Sequence, residues 1–232
     1  MPDWLSSLVC GAASPRPSDS KRPSNSANGT TASRAICSFS GVTRCLLVVC
    51  TANVCRSPVA ERLLRRALSH DVEGDGWSIA SAGTGRYAAG LDPNTIRAAA
   101  DVGIDVSTHR PRLLDRDILA DDGADLVLTM TRGHLPDVVA LDPTAWPRTF
   151  TLKELARRAD SLEPPTATEG FSGWLARMAA GRQARAMMTG DADDDVADPY
   201  GLPMRRHVEM VAEVTHAVDR LTRRGPWSVR TM

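Results

Sequence analysis

Apolar and polar positions along this chain change character near residue 44. Residues 1–43 are rich in Ser, Pro, Ala, Asn and Thr and carry almost no apolar periodicity. Such a segment cannot bury enough surface to offset its ordering entropy, so the expectation is a disordered extension. Composition leaves open whether it is a regulatory tail or a misassigned start. From Cys45 the pattern becomes regular. Cys45–Val49 is an unbroken apolar run of β-prone residues, the pattern of a strand buried on both faces. Pro58–Leu68 places Leu63, Leu64, Ala67 and Leu68 on one helical face. Trp77–Ala80 predicts a second strand, with a glycine-rich turn over Ser81-Ala82-Gly83-Thr84-Gly85. Pro93–Val102 predicts a helix stopped by Gly103. Arg112–Leu119 predicts a short helix, Asp125–Met130 a third strand and Thr131–Val139 a helix. Thr149–Leu152 predicts a fourth strand leading into helical Lys153–Arg158.

Residues 159–196 are less regular. Pro164 and Pro165 make Glu163–Thr168 a loop, and Phe171–Met188 carries an amphipathic helical pattern with Trp174, Leu175, Met178 and Met187 as apolar anchors. An acidic run, Asp191–Asp195, precedes Asp198-Pro199-Tyr200-Gly201. A long helix over Met204–Arg223 is expected to turn Val208, Val211, Val214, Val218 and Leu221 inward. Strands alternating with helices predict a doubly wound α/β sandwich around a central four-stranded parallel sheet, flavodoxin-like, with strand one in the middle. The expected organisation is an extension over 1–43, one domain over 44–224 and a tail over 225–232.

Composition adds mainly exclusions. Lys and Arg total 28 against 28 acidic residues, so net charge points to neither nucleic acid nor membrane. The basic residues are nearly all arginine, a compositional bias rather than a site. No apolar run approaches the ~20 residues needed to span a bilayer, and Leu8-Val9-Cys10 is too short for a signal-peptide core. The expected location is the cytoplasm. Five irregularly spaced cysteines do not suggest a disulfide framework, and Cys45 is expected to be a small packing residue. No metal site is read, and no cofactor is called for; the neighbouring Asp193, Asp194 and Asp195 fit an acidic loop end.

The chemistry concentrates at Val49–Pro58, where a strand ends at Cys50 and Arg56 follows six positions later, with Ser57 expected as a helix cap and Pro58 at the first helical position. A strand, tight loop and helix N-terminus gather backbone N–H groups and the positive end of a helix dipole into an anion cradle. A cysteine at its rim beside an arginine is expected to be largely thiolate at neutral pH, since such settings lower a Cys pKa from about 8.5 to roughly 3.5–7.5. A thiolate in an anion cradle suggests phosphoryl transfer to sulfur.

This stretch resembles the V-C-x5-R-S/T-P signature of the low-molecular-weight protein tyrosine phosphatases. Further similarities follow in order: Ser81–Gly85, then Gly103-Ile104-Asp105 with Ser107 and His109, then Asp198-Pro199-Tyr200. The resemblance implies hydrolysis of phosphotyrosine through a phosphocysteine on Cys50, with Arg56 clamping the phosphate and Asp198 as general acid and then base. It implies substrate binding by Thr51, Ala52, Asn53, Val54, Cys55 and Ser57, with Tyr87 and Tyr200 as aromatic walls. Ser57 would donate to the thiolate, and Asn53 would hold the loop's backbone, with Ser81 and His109 behind it. The implied partner is a phosphotyrosine-containing protein, such as a bacterial tyrosine kinase of surface-polysaccharide production.

Three departures from the family pattern stand out. Ala52 replaces a usual Gly, so a positive φ there would carry a steric cost. Thr131 stands where an Asp often follows the third strand's Met, and the segment before Asp198 is long. Alternatives on the same scaffold are arsenate reduction, for which no cysteine follows Cys55, and phosphoarginine hydrolysis, which uses Thr where Val54 stands. A catalytically silent phosphate-binding module is a third. Cys55 is either a redox partner of Cys50 or a packing residue.

Overall fold

The computed structural model describes residues 44–68, 76–85, 90–119, 123–166, 168–183 and 192–227. The expected N-terminal extension, Tyr87 and residues 184–188 of the expected Phe171–Met188 helix lie outside the described residues. In chain order the strands are β1 (Arg44–Cys50), β2 (Trp77–Gly83), β3 (Leu126–Thr129) and β4 (Thr149–Thr151). The helices are α1 (Arg56–Leu68), α2 (Pro93–Asp101), α3 (Arg116–Leu119), α4 (His134–Leu141), α5 (Leu152–Ser161), α6 (Phe171–Ala179) and α7 (Met204–Arg224).

The four strands form one parallel sheet in the order β2-β1-β3-β4. The chain goes from β1 outward to β2, then back across to β3 on the other side. The winding direction therefore reverses between β1 and β3, and open α/β sheets bind ligands at the carboxyl ends beside such a reversal. β1 is buried on both faces, which is why its sequence is an unbroken apolar run. Leu46 and Val48 join Val59, Ala60, Leu63 and Leu64 of α1 and Val211, Val214, Val218 and Leu221 of α7 in one core. Leu47 and Val49 face the other way, onto Ile118, Leu119 and Val138.

Several element boundaries differ from expectation for physical reasons. Ser81–Gly83 is strand, not turn, because Ser81, Ala82 and Gly83 pair with Val48, Val49 and Cys50. α1 begins at Arg56, so Ser57 sits inside the first turn instead of capping it. Pro58 costs no hydrogen bond there, since first-turn N–H groups have no helical acceptor. The helical part of Arg112–Leu119 is confined to Arg116–Leu119, because Leu113 bridges to Gly83 as extended chain. α6 stops at Ala179, and Gly181 follows at φ +73. On α7 the inward stripe is His207, Met210, Val211, Val214, Ala217, Val218 and Leu221. Val208, one residue and ~100° round from His207, is 46% exposed.

Trp227, in the stretch expected as a tail, is buried and stacks edge-on against Trp77 and Trp174 at ring centroid distances of 5.3 and 5.7 Å. Cys45 is buried in the strand as expected and is also disulfide-bonded, while Cys50 and Cys55 are free thiols. Among the described residues no helix is long and apolar enough to cross a membrane.

Candidate functional site

β1 delivers Cys50 to the carboxyl edge of the sheet, and Thr51–Cys55 loop directly into α1. The first turn of α1 contains no acidic residue, which leaves the positive end of its dipole open to an external anion. Gly83 at the end of β2 lies against the back of this loop. A Cβ there would sit 2.7 Å from the Thr51 carbonyl oxygen and 2.9 Å from the Ala52 carbonyl carbon, so only glycine fits. The next two residues pin the loop through Thr84 N–H to the Cys50 carbonyl (3.0 Å) and Gly85 N–H to the Thr51 carbonyl (2.8 Å).

The left-handed residue in the loop is Asn53, at φ +58; Ala52 is not in that region and carries none of the steric cost anticipated for it. Asn is among the residues that tolerate this conformation best, and its side chain is fully buried and fully bonded. Its Oδ1 accepts from the Arg112 backbone N–H (3.1 Å) and from His109 Nε2 (3.0 Å), while its Nδ2 donates to Ser57 Oγ (2.9 Å) and Ser81 Oγ (2.8 Å). The Arg112 N–H can only donate, so it fixes the amide's orientation. Ser57 Oγ must then accept from Asn53, and its own hydrogen is left to point at Cys50 Sγ, 3.0 Å away. The Asn53 backbone N–H also donates to that sulfur at 3.3 Å. Two donors thus converge on Cys50, which is 2% exposed.

Behind Asn53, Ser81 Oγ donates to Glu61 Oε2 at 2.6 Å, and Glu61 also pairs with Arg65 at 3.1 Å. Burial holds the His109 pKa below its ordinary value, so the ring is neutral and presents Nε2–H to Asn53. Glu61 and Arg112 were missed in the sequence. The available signal was Glu61 lying four residues after Ser57, on the same face of α1.

Arg56 is 4% exposed. Its NH2 donates to Asp198 Oδ2 at 2.6 Å and to Thr51 Oγ1 at 3.1 Å, its NH1 reaches the Val196 carbonyl at 3.4 Å, and its Nε is buried without a protein partner. A cation held this deep, with a donor unspent, fits an anion within the cradle. Cys50, Thr51, Ala52, Val54, Cys55, Arg56, Asp198 and Tyr200 line a common cavity. Of the residues singled out in the sequence, Asn53 and Ser57 lie beneath it as supports, and Tyr87 is outside the described residues.

Asp198 arrives on a loop anchored by the preceding acidic run. Asp194 is buried and bonds both nitrogens of the Arg157 fork, and Asp195 takes the Arg132 backbone N–H at 2.7 Å. The Val196 N–H donates to the Met130 carbonyl at 2.8 Å. These anchors tie the loop to the carboxyl end of β3 and set Asp198 across from Cys50.

Cys55 lies below the loop with Asp92 and His207, their ligating atoms within 4.8 Å of one another. His207 engages both ring nitrogens, Nδ1 with Thr95 Oγ1 (2.9 Å) and Nε2 with the Leu202 carbonyl (3.2 Å), and burial pushes the Cys55 thiol up to about 12. The cluster is a hydrogen-bonded strut between the cysteine loop and the Asp198 loop.

The sequence model of the family described as low molecular weight phosphotyrosine protein phosphatase matches residues 45–167. The probable low molecular weight protein-tyrosine-phosphatase EpsP of Ralstonia solanacearum is 37% identical over 111 residues, covering 47% of this chain and 71% of EpsP. Arsenate reductase 1 of Bacillus cereus is 42% identical over 95 residues, covering 41% of this chain and 63% of the reductase. Among solved structures, the YwlE arginine phosphatase from Geobacillus stearothermophilus aligns with a TM-score of 0.54 at 27% identity, over 78% of this chain and 91% of that one. Three chemistries thus share this scaffold, and the fold alone does not choose among them.

Proposed function

Because the chain belongs to the low molecular weight phosphotyrosine protein phosphatase family, we propose that it hydrolyses phosphotyrosine in proteins through a phosphocysteine on Cys50. The observation that carries this reading is the arrangement of Cys50, Arg56 and Asp198 around one cradle, with the Asp198 carboxylate 2.6 Å from the Arg56 guanidinium.

The substrate phosphate takes the place of the Asp198 carboxylate on Arg56, whose planar fork holds two of its oxygens. Cys50 sulfur attacks phosphorus while the phosphorus–oxygen bond to the tyrosine breaks. Asp198, released from Arg56 and protonated from solvent, gives that proton to the departing phenolate oxygen. In the second half, Asp198 takes a proton from a water that attacks the phosphocysteine, which returns the Cys50 thiolate and frees inorganic phosphate. The loop amides and Arg56 stabilise the charge that spreads over the phosphoryl oxygens in both steps.

Two features favour a phenyl ring over the alternatives. Val54, apolar and lining the cradle, offers a surface for a ring and no hydroxyl for a guanidinium phosphate. Tyr200 stands at the rim, 41% exposed, where a ring can stack on it. Arsenate reduction needs a further thiol to receive the disulfide, and this chain has no cysteine after Cys55. The proposed partner is a phosphotyrosine-containing protein, a bacterial tyrosine kinase being one of that class.

A substrate panel tests the reading: phosphotyrosine, phosphoserine and phosphoarginine peptides, and arsenate with a thiol reductant, each with Cys50→Ser as control. Turnover of phosphotyrosine alone is expected. Preferred turnover of phosphoarginine or arsenate would overturn it.

A further inference from the structure

One cluster beside Thr51 has no place in the steps above. His134, at the start of α4, is buried, and its Nδ1 accepts from the Thr131 backbone N–H (3.2 Å) and the Thr131 hydroxyl (2.9 Å). A backbone N–H can only donate, so Nδ1 carries no hydrogen. The hydrogen of the neutral ring is on Nε2, which points at Thr51 Oγ1, 3.0 Å away. The same oxygen receives Arg56 NH2 at 3.1 Å. A hydroxyl oxygen that accepts from two N–H donors has spent its lone pairs. The Thr51 hydrogen must therefore be donated, and Thr51 lines the anion cradle.

We propose that Thr51 donates its hydroxyl hydrogen to a non-bridging oxygen of the phosphoryl group, and that His134 is the positioning residue that aims it. The inference rests on the phosphoryl-transfer reading and extends it to a side chain outside the three main actors. Arg56 NH2 has two hydrogens, one on Thr51 and one on Asp198. When phosphate displaces Asp198, the bond to Thr51 stays and keeps the fork in plane. His134 is held neutral by burial and by the nearby Arg56 charge, which push its pKa down to about 4. A cationic ring would lose the Thr131 N–H bond that sets its tautomer. The Thr131 hydroxyl, in the position where the family's Asp is absent, completes the chain Thr131–His134–Thr51.

The test is a double-mutant cycle read by vanadate affinity and by kcat/KM on an activated aryl phosphate. Thr51→Val keeps shape and removes the donor; it should lose about 10- to 100-fold, the range for one hydrogen bond to a charged group. Thr51→Ser should retain most of the function. His134→Leu should lose most of what Thr51→Val loses, and His134→Gln, whose amide nitrogen can reach the Nε2 position, should recover it. In the Thr51→Val background, His134→Leu should add almost nothing. A purely structural His134 would instead give additive losses and no recovery by Gln, and that result would overturn the proposal. So would a Thr51→Val protein with wild-type affinity and rate. A wild type that binds no oxyanion would overturn the phosphoryl-transfer reading as well, whereas one that binds vanadate but is indifferent to Thr51→Val would overturn this inference alone.

Discussion

The two walls of the cradle are built in opposite ways. On the cysteine side, Cys50, Asn53, Arg56 and Ser57 are each at most 4% exposed, and the Asn53 amide spends every hydrogen-bonding position on a partner. On the other side, the Asp198 side chain is 47% exposed, and Tyr200 and Leu202 are each 41% exposed. Beyond Arg56, its own stretch is tied by the Tyr200 N–H on Asp198 Oδ1 at 3.2 Å, the Leu202 N–H on the Pro199 carbonyl at 2.9 Å and the Leu202 carbonyl on His207. Pre-formed donors cost nothing to organise when charge develops on phosphate. The proposed acid, by contrast, has to leave Arg56 and reach a leaving oxygen, and it sits on the exposed wall. In the proposed reaction this is a division of labour: one wall binds and the other responds.

The largest effect is expected from Asp198→Asn. The kcat/KM on phosphotyrosine, which reports formation of the phosphocysteine, should fall by about 10²–10⁴, with a markedly smaller fall on an activated aryl phosphate whose leaving group needs no proton. The asparagine keeps an oxygen for Arg56, so stability measured by urea unfolding should change by less than about 1 kcal/mol. Equal losses on both substrates would remove Asp198 from the acid's role.

The cysteine wall should behave in the reverse manner. Asn53→Ala strands the Arg112 N–H, Ser57 and Ser81 and puts a less tolerant residue at positive φ. It should cost about 3 kcal/mol of unfolding free energy and lower activity on all substrates alike. Unchanged stability with lost activity would mean the amide acts in chemistry and not in support.

Acid should expose the same wall. The pKa of His134 is pushed down to about 4 in the fold, against 6.5 when exposed. Between those values the unfolded chain binds the proton and the folded one does not. Stability from this residue is therefore complete above about pH 6.5 and is lost as pH falls toward 4, by an amount on the order of 3 kcal/mol. The lowered pKa of His109, also from burial, acts in the same direction. His134→Gln should flatten the urea-unfolding pH profile in this window; an unchanged profile would contradict the assignment.

The smallest effect is expected at the rim. Tyr200→Ala should raise KM for aryl phosphates about two- to tenfold, the worth of one aromatic contact, with kcat less affected in steady-state assays.

The two walls also differed in how far they could be read in advance. The cysteine wall is local: Cys50, Arg56, Ser57 and Pro58 fall within nine residues, and their spacing alone specifies a strand, a loop and a helix start. Asn53, Ser81 and His109 came only through the family resemblance, and Glu61 not at all, because a buried glutamate on an amphipathic helix looks like a solvated one until Ser81 is placed beside it. The acid wall is separated from Arg56 by 142 positions, so no spacing could join them. Asp194 and Asp195 read as a plain acidic loop, yet Arg157 and Arg132 make them its anchors. His134 was hidden for a similar reason. Its Thr-x-x-His spacing at a helix start gained meaning only when β3 set it beside Thr51. The parallel sheet with β1 in its interior was legible because apolar runs and helical stripes alternate, while the end of β2 was not, since its pairing with Cys50 outweighed the glycine-rich appearance of Ser81–Gly85.

In the proposed reaction Cys50 carries the phosphoryl group. Asp198→Asn should slow hydrolysis of the intermediate more than its formation from an activated aryl phosphate. Acid quenching of that variant in mid-reaction, followed by mass spectrometry of the peptide containing Cys50, tests the claim most directly. A peptide heavier by one phosphoryl group, with the label on the Cys50 sulfur and absent in Cys50→Ser, is the predicted result. A label on Cys55 or Ser57, or turnover of the same substrate without any covalent phosphoenzyme, would contradict it.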